Sequence, residues 1–436
     1  MMIEKEINIK HIKSNMKEFF NANPFFYDKQ KIFWLWDNYL YKWYITDEID
    51  LLNSFEEFFD CEFMFTRQGE KIKHIDAFKL KGRKSNPKEV PKKWIQFKNK
   101  VFSLNSNKLY DVKSNYFFNN PIPWEIGKST KTPVMDKLFE DWVGKDHVKT
   151  LYEIIAYCCY RGYPIQTLFC LFGGGRNGKS CFIDVINRFL GEGNVCSSDL
   201  DMLVGFGKSR FESFKMYKKL ACFMGETNFN KMESTSMIKK LVGGDLISFE
   251  MKGKNPFDDK NYAKMIIASN SLPKSDDTSD GWYRRWLIVD FPNQFEEGKD
   301  IVKTIPKKEY ENLAKKVIGI IPKLISNGCF TNGGTFEERK SRYIDCSNPI
   351  SKFLERFTEN DSKGYVKFNI LFNEYNLFLR KRNQRVLSRK EFSLIIQEEG
   401  LHSDRTSHEN ESTFFVHGIN FKKMWKEGTE FSNQKL

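Results

Sequence analysis

Between about residue 165 and residue 345, short runs of consecutive apolar residues alternate with amphipathic stretches. Four runs have the length and composition of strands buried on both faces, and they cover residues 167–172, 220–224, 265–269 and 286–291. Residues 179–190 have a helical repeat instead, which ends at Gly191. Because strands that alternate with helices are typical of parallel sheets, residues 165–344 are predicted to form an α/β domain.

The regions upstream have different patterns. Apolar side chains recur at steps of three to four residues, with one break near Gly144, at Leu138, Trp142, Val148, Leu151 and Ile155. Residues 96–164 are therefore predicted to be a helical flanking region. Residues 1–95 are rich in aromatic side chains and are predicted to be a mixed, mainly helical region of unknown role. The basic, turn-rich stretch 79–93 is predicted to be a loop.

Beyond residue 345 the pattern predicts three short helices and a hairpin. Phe353, Leu354 and Phe357 indicate the first helix, and residues 368–382 the second. A capping box from Ser388 to Glu391 begins a third helix that ends at residue 400, and two extended segments follow around residues 414–416. Residues 345–436 are therefore predicted to form a winged-helix-like domain.

Composition narrows the class of protein. The 436 residues include 70 basic and 57 acidic side chains, a net charge of +13 that favours a polyanionic partner, although a lysine-rich proteome would give the same excess. The nine cysteines form no CxxC pair, so reduced thiols are expected and a zinc site is not. No apolar run approaches the roughly 18 residues of a membrane span, so we expect an intracellular, cytoplasmic protein.

The strongest chemical signal is the phosphate-binding loop (P-loop), GGGRNGKS, which lies between a predicted buried strand and a predicted helix. Its glycines allow backbone N–H groups to point at phosphates. Lys179 would neutralise the β- and γ-phosphates of ATP, and Ser180 would bind Mg²⁺. The predicted nucleotide-binding residues are Gly173, Gly174, Gly175, Arg176, Asn177, Gly178, Lys179, Ser180 and Cys181.

Polar residues flank the other three predicted strands. Glu226 follows the second strand and could polarise water or hold the Mg²⁺ shell. Asn270 follows the third strand and could hydrogen-bond the γ-phosphate. Arg284 and Arg285 precede the fourth strand, where a guanidinium could reach the γ-phosphate of a neighbouring subunit. With Lys179, these four residues form the predicted catalytic set, and either arginine could be the one that acts.

The order and spacing of these elements, from Gly173 to Arg285, resemble the superfamily 3 DNA helicases, ring-forming relatives of the AAA+ ATPases. The resemblance is greatest to the primase–helicases of phages, plasmids and large DNA viruses. Residues 1–95 are too few for their primase domain, and the single Glu226 after Gly225 departs from the paired acids of many relatives. The family pattern places the arginine finger directly before the strand, which favours Arg285.

The resemblance also implies a DNA path and an assembly. Residues 239–257 would form a hairpin that lines a central channel, with Lys252 and Lys254 on the DNA backbone. Arg389 and Lys390, on the third C-terminal helix, are further candidate DNA contacts. The family implies a hexamer, to which the helical flank would contribute, movement from 3′ to 5′ on single-stranded or forked DNA, and a possible primase or polymerase partner in an infected or plasmid-bearing cell.

Three functions remain open on this sequence. The first is a replicative helicase that hydrolyses ATP to translocate on single-stranded DNA. The second is a replication initiator that uses ATP as a switch and melts an origin without processive unwinding. The third, a P-loop enzyme that acts on small molecules, is disfavoured by the paired arginines and the basic segment between the second and third strands.

Overall fold

The computed structural model describes residues 15–60, 68–204, 209–225, 231–232, 234–296, 300–382, 384–408 and 411–422. The eight cysteines in these ranges are all free thiols. None of the helices within the same ranges has the length and apolar composition needed to cross a membrane.

The N-terminal part combines two small antiparallel sheets with helices. The first sheet contains β1 (Phe25–Tyr27), β2 (Phe33–Asp37) and β3 (Lys42–Thr46), and the second contains β4 (Trp94–Phe97), β5 (Lys100–Ser103) and β6 (Lys108–Asp111). The helices are α1 (15–22), α2 (Glu48–Phe58) and α3 (Gln68–Arg83). Aromatic rings form much of the core here; the ring centroids of Phe26 and Trp43 lie 4.9 Å apart.

Two predictions for this part need correction. The stretch 79–93 is a loop only after Arg83, because α3 continues to that residue with Phe78 buried on its inner side. The region 96–164 is helical only between residues 133 and 158. Its beginning belongs to the β4–β5–β6 sheet, where Ile95, Phe97 and Val101 are buried. The proposed boundary at residue 95 therefore falls inside β4.

The centre of the molecule is a five-stranded sheet. Its strands are β7 (Leu168–Phe172), β8 (Val195–Ser197), β9 (Ala221–Met224), β13 (Lys264–Ser269) and β15 (Trp286–Asp290). They lie in the order β15-β7-β13-β9-β8, and every neighbouring pair is parallel. The prediction of a parallel α/β sheet is confirmed, and the four strands predicted from apolar runs all belong to it. The order places β7 between β15 and β13, which brings the ends of these three strands together.

The chain between and around these strands forms helices. They are α4 (Pro133–Val143), α5 (Val148–Cys158), α6 (Lys179–Leu190), α7 (Leu200–Val204), α8 (Ser236–Gly243), α9 (Asp280–Tyr283), α10 (Lys307–Asn327) and α11 (Phe336–Ser347). The predicted break between α4 and α5 is confirmed at Gly144, whose φ is 76°. The N-terminus of α4 is fixed to α10, because both carboxylate oxygens of Glu309 accept 2.9 Å bonds from the backbone N–H groups of Val134 and Met135.

Two smaller pairs complete the central domain. Strands β11 (Leu246–Phe249) and β12 (Phe257–Lys260) form an antiparallel hairpin, and β10 (Lys231–Met232) pairs in parallel with β14 (Lys274–Ser275). The family resemblance implied a hairpin over residues 239–257; the hairpin observed runs from residue 246 to residue 260, so its second strand extends beyond that segment. Ile247 and Phe249 are buried, whereas the turn between the strands is largely exposed.

The C-terminal part has three helices and a three-stranded sheet. The helices are α12 (Pro349–Phe357), α13 (Phe368–Lys381) and α14 (Arg389–Glu398), and the strands β16 (Thr358–Lys367), β17 (His402–His408) and β18 (Glu411–Phe421) pair in the order β16-β18-β17. The predicted capping box at Ser388 is confirmed. This part has its own hydrophobic core, from Ile350 to Phe421, whereas Cys346 still belongs to the core of the central domain.

Candidate functional site

The P-loop leaves the carboxyl end of β7 and leads directly into α6. The N–H of Gly173 donates to the carbonyl of Ser269 at the end of β13, 3.2 Å away. Three residues in the loop have positive φ: Gly175 at 103°, Arg176 at 49° and Gly178 at 90°. Gly178 occupies the N-cap of α6 and has no side chain to bond the first turn. Such a helix start presents backbone N–H groups and a positive dipole end to an anion.

Asn177 holds the loop against the end of β15. Its side chain is 2 % exposed, and its Nδ2 donates to the carbonyl of Phe291 at 3.0 Å. A Cβ on Gly173 would lie 1.9 Å from this Nδ2 and 2.7 Å from the Phe291 oxygen. Only glycine therefore fits at residue 173 while Asn177 keeps this bond. Sequence reasoning placed Asn177 in the nucleotide site but gave it no role in shaping the loop.

Lys179 lies over the P-loop and donates to it. Its Nζ is 2.6 Å from the carbonyl oxygen of Gly173 and 2.8 Å from Oδ1 of Asn177. These bonds hold the ammonium group inside the curve of the loop, where a phosphate would be cradled. Ser180 is exposed in the first turn of α6, beside the half-buried Cys181. The predicted residues 173–181 therefore all lie at the carboxyl edge of the sheet, in the loop after β7 and the first turn of α6.

Helix α4 supplies a wall of this site. A Cβ on Gly178 would lie 2.5 Å from Cδ1 of Trp142, so this ring packs directly on the loop, and the positive φ of Gly178 disfavours a side chain as well. The segment after β15 lies alongside: the N–H of Phe295 donates to the carbonyl of Arg176 at 2.8 Å. The sequence indicated Trp142 only as a helix position, because nothing in its spacing reports a contact with the P-loop.

One further predicted residue, Asn270, belongs to the same edge of the sheet. Asn270 directly follows β13, which pairs with β7 so that Ser269 stands opposite Phe172, the residue before the P-loop. Glu226 lies outside the described residues, because the described range that contains β9 ends at Gly225. A residue that the sequence did not indicate is also at this edge: Arg342 of α11 forms an ion pair with Asp290 at the end of β15.

Arg284 and Arg285 lie at the opposite edge of the sheet from the P-loop. They precede Trp286, which pairs with Leu168 at the start of β7, whereas the P-loop follows the end of β7. A five-residue strand spans about 16 Å, so the two arginines and the P-loop of one chain cannot meet on one phosphate. An interaction with a nucleotide would have to involve another chain.

The two arginines differ in exposure. Arg285 is 7 % exposed, its NH1 donates to the carbonyl of Gly281, and burial followed by the charge of Arg284 lowers its pKa. Arg284 is exposed. One guanidinium nitrogen from each donates to Oε1 of Gln166, at 3.1 Å from Arg284 and 3.0 Å from Arg285. The geometry therefore favours Arg284, the alternative candidate, as the arginine that could reach a neighbouring chain.

Gln166 joins these arginines to the hairpin. While its Oε1 accepts from both guanidinium groups, its Nε2 donates to the carbonyl of Gly243 at 3.2 Å, three residues before β11. The sequence gave no signal for Gln166, because a lone glutamine before a strand has no motif. The structure makes it the connection between the amino edge of the sheet and the base of the hairpin.

The candidate DNA-binding residues lie on two surfaces. Lys252 and Lys254 are exposed on the turn of the β11–β12 hairpin, and Nζ of Lys254 lies 3.3 Å from the carbonyl of Lys31 in the β1–β2 turn. Arg389 and Lys390 are exposed at the start of α14, where Arg389 bonds to Asn369 of α13. The structure brings neither pair to the P-loop, and whether they contact DNA stays a prediction.

A buried lysine lies beneath the hairpin and was not singled out from the sequence. Lys264, the first residue of β13, is fully buried, and its Nζ donates to the carbonyls of Tyr160 and Tyr262, each at 2.7 Å. The rings of Tyr157 and Tyr163 lie 4.7 Å and 4.6 Å from the same nitrogen. Burial lowers the pKa of Lys264 to about 7.

The central domain matches a known family model. Residues 171–285, from the end of β7 to the arginine pair, match a family described as a family of unknown function (DUF5906). A protein of Acanthamoeba polyphaga mimivirus named "Putative helicase L207/L206" is 26% identical over 183 residues, which is 40% of this chain and 18% of that protein. The match therefore spans less than a fifth of the relative's length.

The fold extends beyond that segment. A solved structure described as "The A form apo structure of NrS-1 C terminal region-CTR" aligns with a TM-score of 0.52 and 13% identity, covering 93% of this chain and 98% of the other. A second, "The apo structure of NrS-1 C terminal region (305-718)", gives the same TM-score, identity and coverage. At this identity the likeness concerns the fold alone, and it includes the N-terminal and C-terminal parts as well as the central sheet.

Proposed function

We propose that the chain is an ATP-driven DNA helicase of the superfamily 3, AAA+-related type. The observation that carries the proposal is the P-loop at the carboxyl end of β7, with the Lys179 ammonium 2.6 Å from the Gly173 carbonyl, beside the end of β13. A curved backbone, a helix N-terminus and a lysine in this order are the parts that bind nucleoside triphosphates. The mimivirus relative's name, putative helicase, supports the same conclusion.

The P-loop and the predicted residues around it fit Mg²⁺–ATP. The N–H groups of the P-loop and of the first turn of α6 would hold the phosphates, and Lys179 would neutralise them. Ser180, exposed at the start of α6, would bind the metal ion together with Glu226. The metal would supply Lewis-acid polarisation of the terminal phosphoryl group. Asn270 would hydrogen-bond that group from the end of β13 without adding a charge.

The DNA path follows from the basic hairpin. Lys252 and Lys254 stand on an exposed turn, and lysines on such a turn contact phosphates rather than base edges, which suits movement along any sequence. Three helices and a three-stranded antiparallel sheet at the C-terminus support a winged-helix domain there, with Arg389 and Lys390 as further phosphate contacts. We infer that single-stranded DNA passes along the hairpin while this domain contributes to DNA or partner binding.

The separation of Arg284 from the P-loop supports a ring, a hexamer by the family resemblance. A finger at one edge of the sheet and a nucleotide at the other can form one catalytic centre only if they come from adjacent chains. Because Arg284 is exposed and Arg285 is buried, Arg284 is the finger in this proposal, and Arg285 holds the turn that presents it.

The test compares Lys179→Ala with Lys308→Ala, an exposed lysine of α10. Lys179→Ala should abolish ATP hydrolysis and displacement of one strand from forked DNA, whereas the control should retain both. Near-wild-type hydrolysis by a folded Lys179→Ala protein would refute the nucleotide site. Hydrolysis by the wild-type protein without strand displacement, but with origin melting, would replace the helicase with an ATP-switched initiator.

A further inference from the structure

A cavity of about 560 Å³ opens between the N-terminal part and the base of the hairpin. Most of the lining comes from four segments: residues 89–92, residues 117–119, the turn 160–164 after α5, and residues 259–262 at the end of β12. It lies away from the P-loop, on the side of the sheet where the strands begin. Its volume is within the range of pockets that hold drug-sized ligands.

Four of the lining residues are aromatic: Phe117, Tyr160, Tyr163 and Tyr262. The polar groups between them are mostly bonded inside the protein. Lys218 pairs with Asp259 at 2.8 Å, so these two charges compensate each other. Four aromatic residues line a space of this size, and nucleobases bind proteins by stacking on aromatic side chains.

Cations stand at the mouth of the cavity. Lys92 and Lys260 are both exposed, and neither has an ion pair with any of the described acidic side chains. Lys92 belongs to the loop after α3, which also exposes Lys84, Lys88 and Lys93 and contains a single acid, Glu89. Arg161 fixes this loop, since its guanidinium donates to the carbonyls of residues 91 and 94 at 3.1 Å and 3.0 Å. A cavity that is lined by aromatic residues and has exposed lysines at its opening suits an anionic ligand that carries a planar base.

We propose that this cavity binds one unpaired base of single-stranded DNA, with the adjacent phosphates at Lys92 and Lys260. The inference rests on the proposed helicase function, and it gives the N-terminal part a role in that function. The cavity lies at the base of the hairpin, and the turn with Lys252 and Lys254 lies one strand length away, about 13 Å for four residues. A strand bound at both places would be extended, and its base would be available because a duplex hides base faces by stacking.

Two kinds of variant separate stacking from charge. Tyr160→Ala removes a ring, and Tyr160→Phe restores it. Lys92→Ala with Lys260→Ala removes the mouth charges, and Lys308→Ala with Lys315→Ala, exposed on α10, is the control of equal charge. The probe is fluorescein-labelled oligo-dT, compared with an abasic oligonucleotide of the same length, and affinity is measured by anisotropy from low to high salt.

Tyr160→Ala should weaken oligo-dT binding by about 5- to 150-fold without changing the salt slope. Tyr160→Phe should bind oligo-dT with the affinity of the wild type. The affinities of Tyr160→Ala and wild type should differ less for the abasic oligonucleotide than for oligo-dT. The double lysine variant should lower the salt slope by about 1.4, or 0.7 for each phosphate. The α10 control should leave it unchanged.

Oligo-dT affinity of Tyr160→Ala equal to wild type, with a double-lysine slope equal to that of the α10 control, would overturn the inference. If the protein then still displaces strands, the helicase stands and only the cavity assignment fails. If the cavity variants weaken binding as expected but wild-type protein neither hydrolyses ATP nor displaces strands, the base site stands and the proposed function fails.

Discussion

Arg284→Ala should mainly reduce ATP hydrolysis, whereas Arg285→Ala should mainly reduce the stability of the fold. Arg284 is exposed, so its removal should change the free energy of unfolding by less than about 0.5 kcal/mol. Arg285 is 7 % exposed and donates to the Gly281 carbonyl and to Gln166. Its removal leaves the carbonyl oxygen of Gly281 without this donor, at a cost of about 1–3 kcal/mol. Urea unfolding of the two variants measures this difference.

Turnover should follow the reverse order. An arginine finger contributes about 10³ to 10⁵ in kcat, so Arg284→Ala should be nearly inactive in ATP hydrolysis, although its own P-loop is intact. Arg285→Ala should retain part of its turnover under conditions where it stays folded. Both measurements use the same assay, at protein concentrations high enough for assembly.

Subunit mixing shows whether Arg284 acts on another chain. Arg284→Ala provides an intact P-loop, and Lys179→Ala provides an intact finger. If subunits mix at random in equal amounts, about a quarter of the interfaces combine the two intact halves, so about a quarter of wild-type turnover should return. The assignment of Arg284 as the finger is refuted if Arg284→Ala hydrolyses ATP normally. It is also refuted if Arg285→Ala is fully stable but inactive, and if mixing restores the turnover of Arg285→Ala instead.

Three further predictions concern other parts of the chain. Lys252→Ala with Lys254→Ala should lower the salt slope of single-stranded DNA binding by about 1.4, measured by anisotropy; an unchanged slope would place the DNA elsewhere. A fragment of residues 345–422 should fold alone, with helix and sheet signals in circular dichroism, because its core is separate; an unfolded fragment would contradict this. Lys264 has a pKa near 7 when folded against 10.5 as the ordinary value, so the unfolded state binds more protons between these values and stability should rise with pH across them. Lys264→Met should flatten that rise in urea unfolding at pH 7 and pH 9.5; a parallel pH dependence in both proteins would refute it.

The sequence predicted the elements whose signals are local. Buried parallel strands are apolar at consecutive positions, so β7, β9, β13 and β15 could be found, and the P-loop is a contiguous motif. The capping box before α14 is equally local. In contrast, β16 has the sequence TENDSKGYVK, whose polar residues resemble a loop; it becomes a strand because β18 pairs with it.

The contacts that shape the site are not local, and for that reason the sequence did not reveal them. Asn177 bonds a carbonyl 114 residues away, and Gln166 bonds guanidinium groups 118 and 119 residues away. Trp142 is indistinguishable from other apolar positions of α4 until Gly178 is placed against it. The preference for Arg285 over Arg284 came from motif position, whereas exposure depends on how α9 and β15 pack.

Because the sheet separates Arg284 from the P-loop, the number of complete catalytic centres would depend on how the chains are assembled. In the proposed ring, each chain would contribute a P-loop to one catalytic centre and an arginine finger to the next. A single molecule would then complete no centre, and an open row of chains would leave a P-loop unused at one end and a finger unused at the other. Closure into a ring is the arrangement in which every P-loop has a counterpart. ATP turnover per chain should therefore rise steeply as the protein concentration is increased. It should be nearly zero for isolated molecules and become constant once rings predominate.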